Sequence, residues 1–263
     1  MSAIDLNAIH RRDRRVVLAG LAGITALSWA YLVYLALRMP AMPMPTQMPG
    51  MAMPQWQPWG AIEFALMLLM WVVMMVGMMV PSTSPMMLTF TTVHRRQAQG
   101  DALVPTAAFL AGYVIVWSAF SLAATLAQWG LHQAALLSPM TVSTSPVLGG
   151  LLLIAAGVFQ WSGLKQACLS KCRTPLGFLL GEWRAGPAGA LVMGLRHGLF
   201  CTGCCWALMA LLFVVGVMNL LWVAVIAAFV LVEKIAPQEL HVARVAGLGL
   251  VAWGGWLLLH AIF

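Results

Sequence analysis

Of the chain's 263 residues, 62% are apolar and 8% charged, and its mean hydropathy is +0.91. Polar side chains this sparse cannot coat a water-soluble globule, which excludes a soluble enzyme or a soluble binding module. A bilayer-spanning helix needs about 20 mainly apolar residues, and uncharged runs of that order recur along almost the whole chain. The expected fold is therefore an all-α, polytopic transmembrane helical bundle, with the lipid bilayer as its surroundings.

In chain order, residues 1–15 form a basic N-terminal segment carrying Arg11, Arg12, Arg14 and Arg15. Residues 16–37 read as a retained first span, because the run is too long for a signal-peptide core and no small-residue cleavage site follows it. A Met/Pro-rich outer loop occupies residues 38–60, and residues 61–263 form the helical membrane domain. Further spans are expected near residues 61–80, 104–127, 147–164, 197–217, 220–236 and 242–262. That makes seven. Residues 199–232 are short for two spans joined by a turn near Val217-Met218-Asn219, so six is the alternative count.

Lys and Arg gather in short cytoplasmic loops. With the N-terminus in the cytoplasm, the inner segments hold thirteen: Arg11, Arg12, Arg14, Arg15, Arg95, Arg96, Lys165, Lys171, Arg173, Arg184, Arg196, Lys234 and Arg244. The outer segments hold only Arg38. The net charge of +7 thus reads as a topology device, and nucleic acid is not an expected partner.

The outer loop contains Met39-Pro40-Ala41-Met42-Pro43-Met44-Pro45 and, nine residues on, Met48-Pro49-Gly50-Met51-Ala52-Met53-Pro54. In each block the methionines stand at positions one, four and six. Alternating Pro favours an extended polyproline-II chain, which holds the thioethers toward water with no core to fill. Thioether sulfur suits Cu(I) and forms no disulfide in an oxidising compartment, so Met39, Met42, Met44, Met48, Met51 and Met53 are candidate copper contacts. In the second span, Glu63, Met67, Met70, Met74 and Met78 share one helical face. Met in such a stripe fills packing gaps more often than it binds metal, and Glu63 lies close enough to the outer interface to snorkel there.

The five cysteines form two groups. Cys168 and Cys172 follow the fourth span, and Cys201, Cys204 and Cys205 sit in His197-Gly198-Leu199-Phe200-Cys201-Thr202-Gly203-Cys204-Cys205-Trp206, at the start of the fifth. Both groups are expected near the cytoplasmic face, where thiols stay reduced. Cys168 and Cys172 would lie one turn apart, and His197, Cys201, Cys204 and Cys205 fall within an arc of about 100°. Two such faces could share one soft metal, Cu(I) or Zn²⁺. Lys165, Lys171 and Arg173 would favour the thiolate forms, and Gly194 and Gly198 would admit a neighbouring helix. Thiols within and thioethers outside match what each compartment permits for a Cu(I) ligand.

The blocks from Trp71 to Pro81, from Leu164 to Pro175 and from Gly198 to Met209, with Gly216-Val217-Met218-Asn219 and Glu233-Lys234, resemble a bacterial family of uncharacterised, predicted metal-binding integral membrane proteins. That family includes the membrane copper-delivery partner of bacterial tyrosinase. The resemblance runs from about Ala61 to the C-terminus, and Cys-x-Gly-Cys-Cys-Trp is its most specific part. It implies a metallochaperone that holds Cu(I) and passes it to a cuproenzyme, without catalytic turnover. Two other readings compete with it. One is a membrane thiol-disulfide oxidoreductase using Cys201 and Cys204, and the other is a copper transporter. The sequence carries no nucleotide-binding G-x-x-x-x-G-K-[ST] loop.

The charge asymmetry predicts the sidedness of the chain. Reporter fusions after Arg15 and near Arg95 and Lys171 should be active in the cytoplasm, and fusions within residues 39–54 should be active outside. A cytoplasmic signal from residues 39–54 would overturn this topology.

Overall fold

The computed structural model describes residues 3–38, 60–98, 101–133, 146–236 and 241–262, and every regular element among them is helical. The helices are α1 (Ala3–Arg38), α2 (Ala61–Ala98), α3 (Leu103–Gln133), α4 (Pro146–Phe159), α5 (Gly163–Arg173), α6 (Pro175–Glu182), α7 (Gly186–Ala210), α8 (Leu212–Val215), α9 (Leu220–Ile235) and α10 (Val242–Ile262). The Met-Pro loop, with Met39, Met42, Met44, Met48, Met51 and Met53, lies outside the described residues.

Among the described residues, five stretches are long and apolar enough to cross a membrane: Arg11–Arg38, Ala61–Gln97, Leu103–Gln133, Gly186–Val215 and Val242–Ala261. A sixth is available if α4 and α5 count as one broken span. The expectation of seven is corrected at two places. The fourth predicted span stops at Phe159 and turns through 63° into α5, which is a polar helix. Ser162 drives the break, because its hydroxyl accepts from Lys165 N at 3.1 Å and starts a new helix where the sequence pattern suggested continuation. The sixth predicted span is α9, whose 16 residues extend only about 24 Å, short of a hydrocarbon core of about 30 Å. The turn expected at 217–219 is present, set by Gly216 at φ +94°, with Asn219 as the cap of α9.

Two prolines lie inside α2, Pro81 and Pro85, yet the helix runs on for 38 residues. Proline lacks the N–H that would bond to the carbonyl four residues back. Each carbonyl released in this way has another donor. Gly77 O accepts from the Trp29 indole of α1 at 3.2 Å, and Pro81 O accepts from Ser84 Oγ at 2.8 Å. This is how a spanning helix tolerates proline where water is absent. Met70, Met74 and Met78 of the predicted stripe are buried, Met67 is half-buried and Glu63 is exposed.

The most extensive helix pair is α3 with α7. Their backbones touch at glycine: a Cβ on Gly194 would overlap Phe109 O, and one on Gly112 would overlap Leu191 O. Gly198 meets Val116 and Tyr113 further along, so the two helices run parallel. The Gly194 and Gly198 spacing read from the sequence thus admits α3. A second seam joins α4 to α10 through Gly150 and Gly254 and is antiparallel.

Because no side chain has to move aside at Gly194, only backbone, substitution there should be poorly tolerated. Gly194→Ala is expected to lower stability by about 1–3 kcal/mol or more, by forcing α3 and α7 apart. Gly130→Ala, with nothing near its Cβ position, should stay within about 0.5 kcal/mol of the parent. Thermal unfolding in detergent measures both.

Candidate metal centre

On α5, the buried residues Lys165, Leu169 and Cys172 make one stripe, and on α7 His197, Gly198, Cys201, Cys204 and Cys205 are all buried. The faces that carry these residues turn toward each other, because α5 packs on α7. Cys201 is the hub. Its thiol interacts with those of Cys172, Cys204 and Cys205, Cys172 also interacts with Cys204, and Cys204 with Cys205. Cys204 Sγ and Cys205 Sγ further donate to Cys201 O at 3.1 and 2.9 Å, which folds both side chains back along the helix. All five cysteines are free thiols.

The thiols have polar company that the sequence pattern did not single out. Lys234 Nζ of α9 donates to Cys201 Sγ at 3.0 Å and to Ser82 Oγ of α2 at 2.7 Å. Tyr113 Oη of α3 lies 3.1 Å from Cys201 Sγ and 3.1 Å from Met79 O. Ser82 Oγ in turn donates to Met79 O at 2.8 Å. Cys201 of α7 is thereby linked to α9 and α3 directly, and to α2 through Lys234 and Tyr113.

Beside Lys234, Glu233 points to α5. Its carboxylate pairs with Lys165 Nζ at 2.8 Å, both side chains being buried, and its backbone carbonyl accepts from Arg173 Nε at 2.8 Å. The expectation that Lys165, Lys171 and Arg173 would charge the thiols is corrected. Lys165 and Arg173 are engaged by Glu233, Lys171 is exposed, and the cation that touches sulfur is Lys234. Lys165 and Lys234 are likewise buried bundle residues rather than loop charges.

The remaining candidates sit at the edges. His197 is buried with its ring stacked on Tyr113 at 5.7 Å and edge-on to Phe178 at 5.4 Å, and its Nδ1 has no hydrogen-bond partner among the described residues. Cys168 is half-buried and lies against Gly203, where an added Cβ would stand 2.8 Å from its sulfur. Nor does the cluster lie at the start of its helix: α7 begins at Gly186, helped by Pro187 in its first turn, and Cys201 is about 22 Å further along. Arg196, which ends the uncharged run in the sequence, stays on the helix surface and pairs with Glu182. Among the described residues no group of three or more His, Cys, Asp or Glu side chains is already arranged as a metal-ligand shell. The thiols of α5 and α7 instead interact with one another as neighbours in the core.

A signal for the missed residues exists in the sequence, since an ionisable group within a membrane segment needs a partner. Glu233 and Lys234 fall within the apolar run 220–236 that reads as a span in the sequence, and their partners come from α5, α7 and α2. Glu233→Gln, which leaves Lys165 buried and unpaired, should cost about 3 kcal/mol or more, and adding Lys165→Met should restore much of it. Thermal unfolding in detergent checks this, and an unchanged Glu233→Gln protein would show that the pair does not hold α5.

No curated protein and no solved structure matches the chain. Residues 68–257, which include α5, α7, α9 and all five cysteines, match the family described as PpoB2, copper chaperone. That match excludes the Met-Pro loop and covers well over half of the sequence: the chain belongs to the PpoB2 family of copper chaperones.

Proposed function

We propose that the chain is an inner-membrane copper chaperone that holds Cu(I) among Cys172, Cys201, Cys204 and Cys205, with His197 beside them and Cys168 outside the holding set at its rim, and passes it to a cuproenzyme. The observation that carries this reading is the gathering of three thiols, from two helices, around that of Cys201, all four being buried. Thiolate sulfur is the soft ligand that selects Cu(I).

Electrostatics favours a monovalent cargo. Cu(I) bound by two thiolates carries one negative charge, which is unfavourable in a low-dielectric interior. The ammonium of Lys234, 3.0 Å from Cys201 Sγ, would leave that pair of ligands, metal and lysine neutral. His197 adds an imidazole nitrogen with no other partner one helical turn before Cys201. Loading would cost the bonds from Cys204 and Cys205 to Cys201 O, and metal–sulfur bonds would replace them. Met39, Met42, Met44, Met48, Met51 and Met53 would gather copper on the opposite side of the membrane, where thioethers survive oxidation.

Protein purified in detergent under reducing conditions is expected to bind about one Cu(I) per chain with sulfur ligands visible by X-ray absorption. Cys172→Ser and Cys201→Ser should each weaken binding by about tenfold or more, and the double variant should resemble either single one, as ligands acting as a unit are non-additive. A protein that takes up no copper and instead yields a titratable Cys201–Cys204 disulfide would be an oxidoreductase, and this proposal would fall.

A further inference from the structure

We infer that Cys168 is the relay thiol of the copper site, the ligand that first receives Cu(I) from a donor and last releases it, seated for that task against the backbone of Gly203. This rests on the reading of the thiol cluster as the copper site and goes beyond it by separating a holding set from a transfer ligand.

The holding set is sealed. Cys201 and Cys205 are fully buried, and Cys204 and Cys172 are 1% and 8% exposed. A metal there cannot touch a donor or an acceptor directly. Cu(I) moves between sulfur ligands by exchange in which the incoming ligand bonds before the outgoing one leaves. Transfer therefore needs a sulfur at the boundary between outside and inside.

Cys168 occupies that boundary. At 100° per residue, Leu164 and Lys171 lie to one side of it on α5 and Lys165 and Cys172 to the other. The first two are exposed and the second two buried. Cys168 itself is intermediate, and it interacts electrostatically with Cys204, the cluster residue next to Gly203. Gly203 makes the seat. An added Cβ would lie 2.8 Å from Cys168 Sγ and 3.6 Å from its Cβ, so any larger residue pushes the thiol away from α7.

The exchange balances at each stage. On arrival the copper–sulfur bond of the donor breaks as copper bonds to Cys168, and the Cys168 proton passes to the donor's sulfur. On hand-over copper moves from Cys168 to Cys204 while the Cys204 proton moves to Cys168. Copper remains Cu(I) throughout, and no oxidant or reductant is needed.

The test compares affinity with rate. Protein loaded with one Cu(I) is mixed with the chelator bicinchoninate, and transfer is followed by stopped-flow absorbance. Cys168→Ser should keep the equilibrium affinity close to that of the parent but transfer copper about tenfold more slowly or worse, a barrier increase of about 1.4 kcal/mol. Cys168→Met, which restores a soft sulfur, should recover most of the rate, and Gly203→Ala should be slow like Cys168→Ser. Parental transfer rates in Cys168→Ser, a loss of affinity matching that of Cys201→Ser, or a Cys168→Met protein as slow as Cys168→Ser would each overturn the relay role. Failure of the cluster reading is distinguishable, because the parent protein would then bind no Cu(I) at all.

Discussion

Two adjacent residues at the end of α9, Glu233 and Lys234, govern the geometry of everything around them. Successive side chains on a helix diverge by about 100°, so one turn of α9 reaches three neighbours at once. Glu233 holds α5 through Lys165 and Arg173, and Lys234 holds α7 through Cys201 and α2 through Ser82. The two cysteine-bearing helices, which already pack on each other, are thereby tied together a second time by a helix that contributes no sulfur. Charges buried this deeply are tolerated only when each is matched, and removing one partner strands the other. Stability and the shape of the thiol cluster consequently depend on the same few atoms.

The rest of the bundle presents α7 and α2 to that point. Contact of α3 with α7 at Gly112 and Gly194 brings Tyr113 alongside Cys201. In α2, the proline pair disturbs the backbone next to Met79 and Ser82, and Trp29 and Ser84 satisfy the carbonyls released there. The methionines on the inner face of α2 pack in the same core as the thiols. Their thioethers fill volume beside soft ligands without adding a competing charge.

Much of this could be read from the sequence, for reasons that are physical. Spans follow from long apolar runs, since lipid demands internal satisfaction of every backbone bond, and α1, α2, α3, α7 and α10 all fall on predicted spans. The arc of His197, Cys201, Cys204 and Cys205 is a property of a single helix and needs no tertiary knowledge. What stayed hidden depends on partners distant in sequence. Lys165 and Lys234 look like loop cations until Glu233 and Cys201 are seen beside them. The break after Phe159 was obscured because the apolar run continues past it, and only the cap at Ser162 marks it. Cys168 and Cys172 are equivalent in spacing, yet the angle at which α5 meets α7 buries one and leaves the other at the rim. Tyr113 carries no motif at all.

The sequence separations within the site bear on how it is built. Cys172 and Cys201 are joined by one short helix and a turn, whereas Glu233 bonds to Lys165 across 68 residues and Lys234 to Ser82 across 152. Local contacts close before distant ones, and a chain emerging from the ribosome presents its N-terminal part first. The sulfur-bearing helices can thus come together during synthesis, while α9 is still unmade, and the arrival of its last turn closes the assembly. A nascent chain passes through a stage in which its thiols are grouped but their lysine is absent, so biogenesis contains an interval when the cluster is more open than it will ever be again.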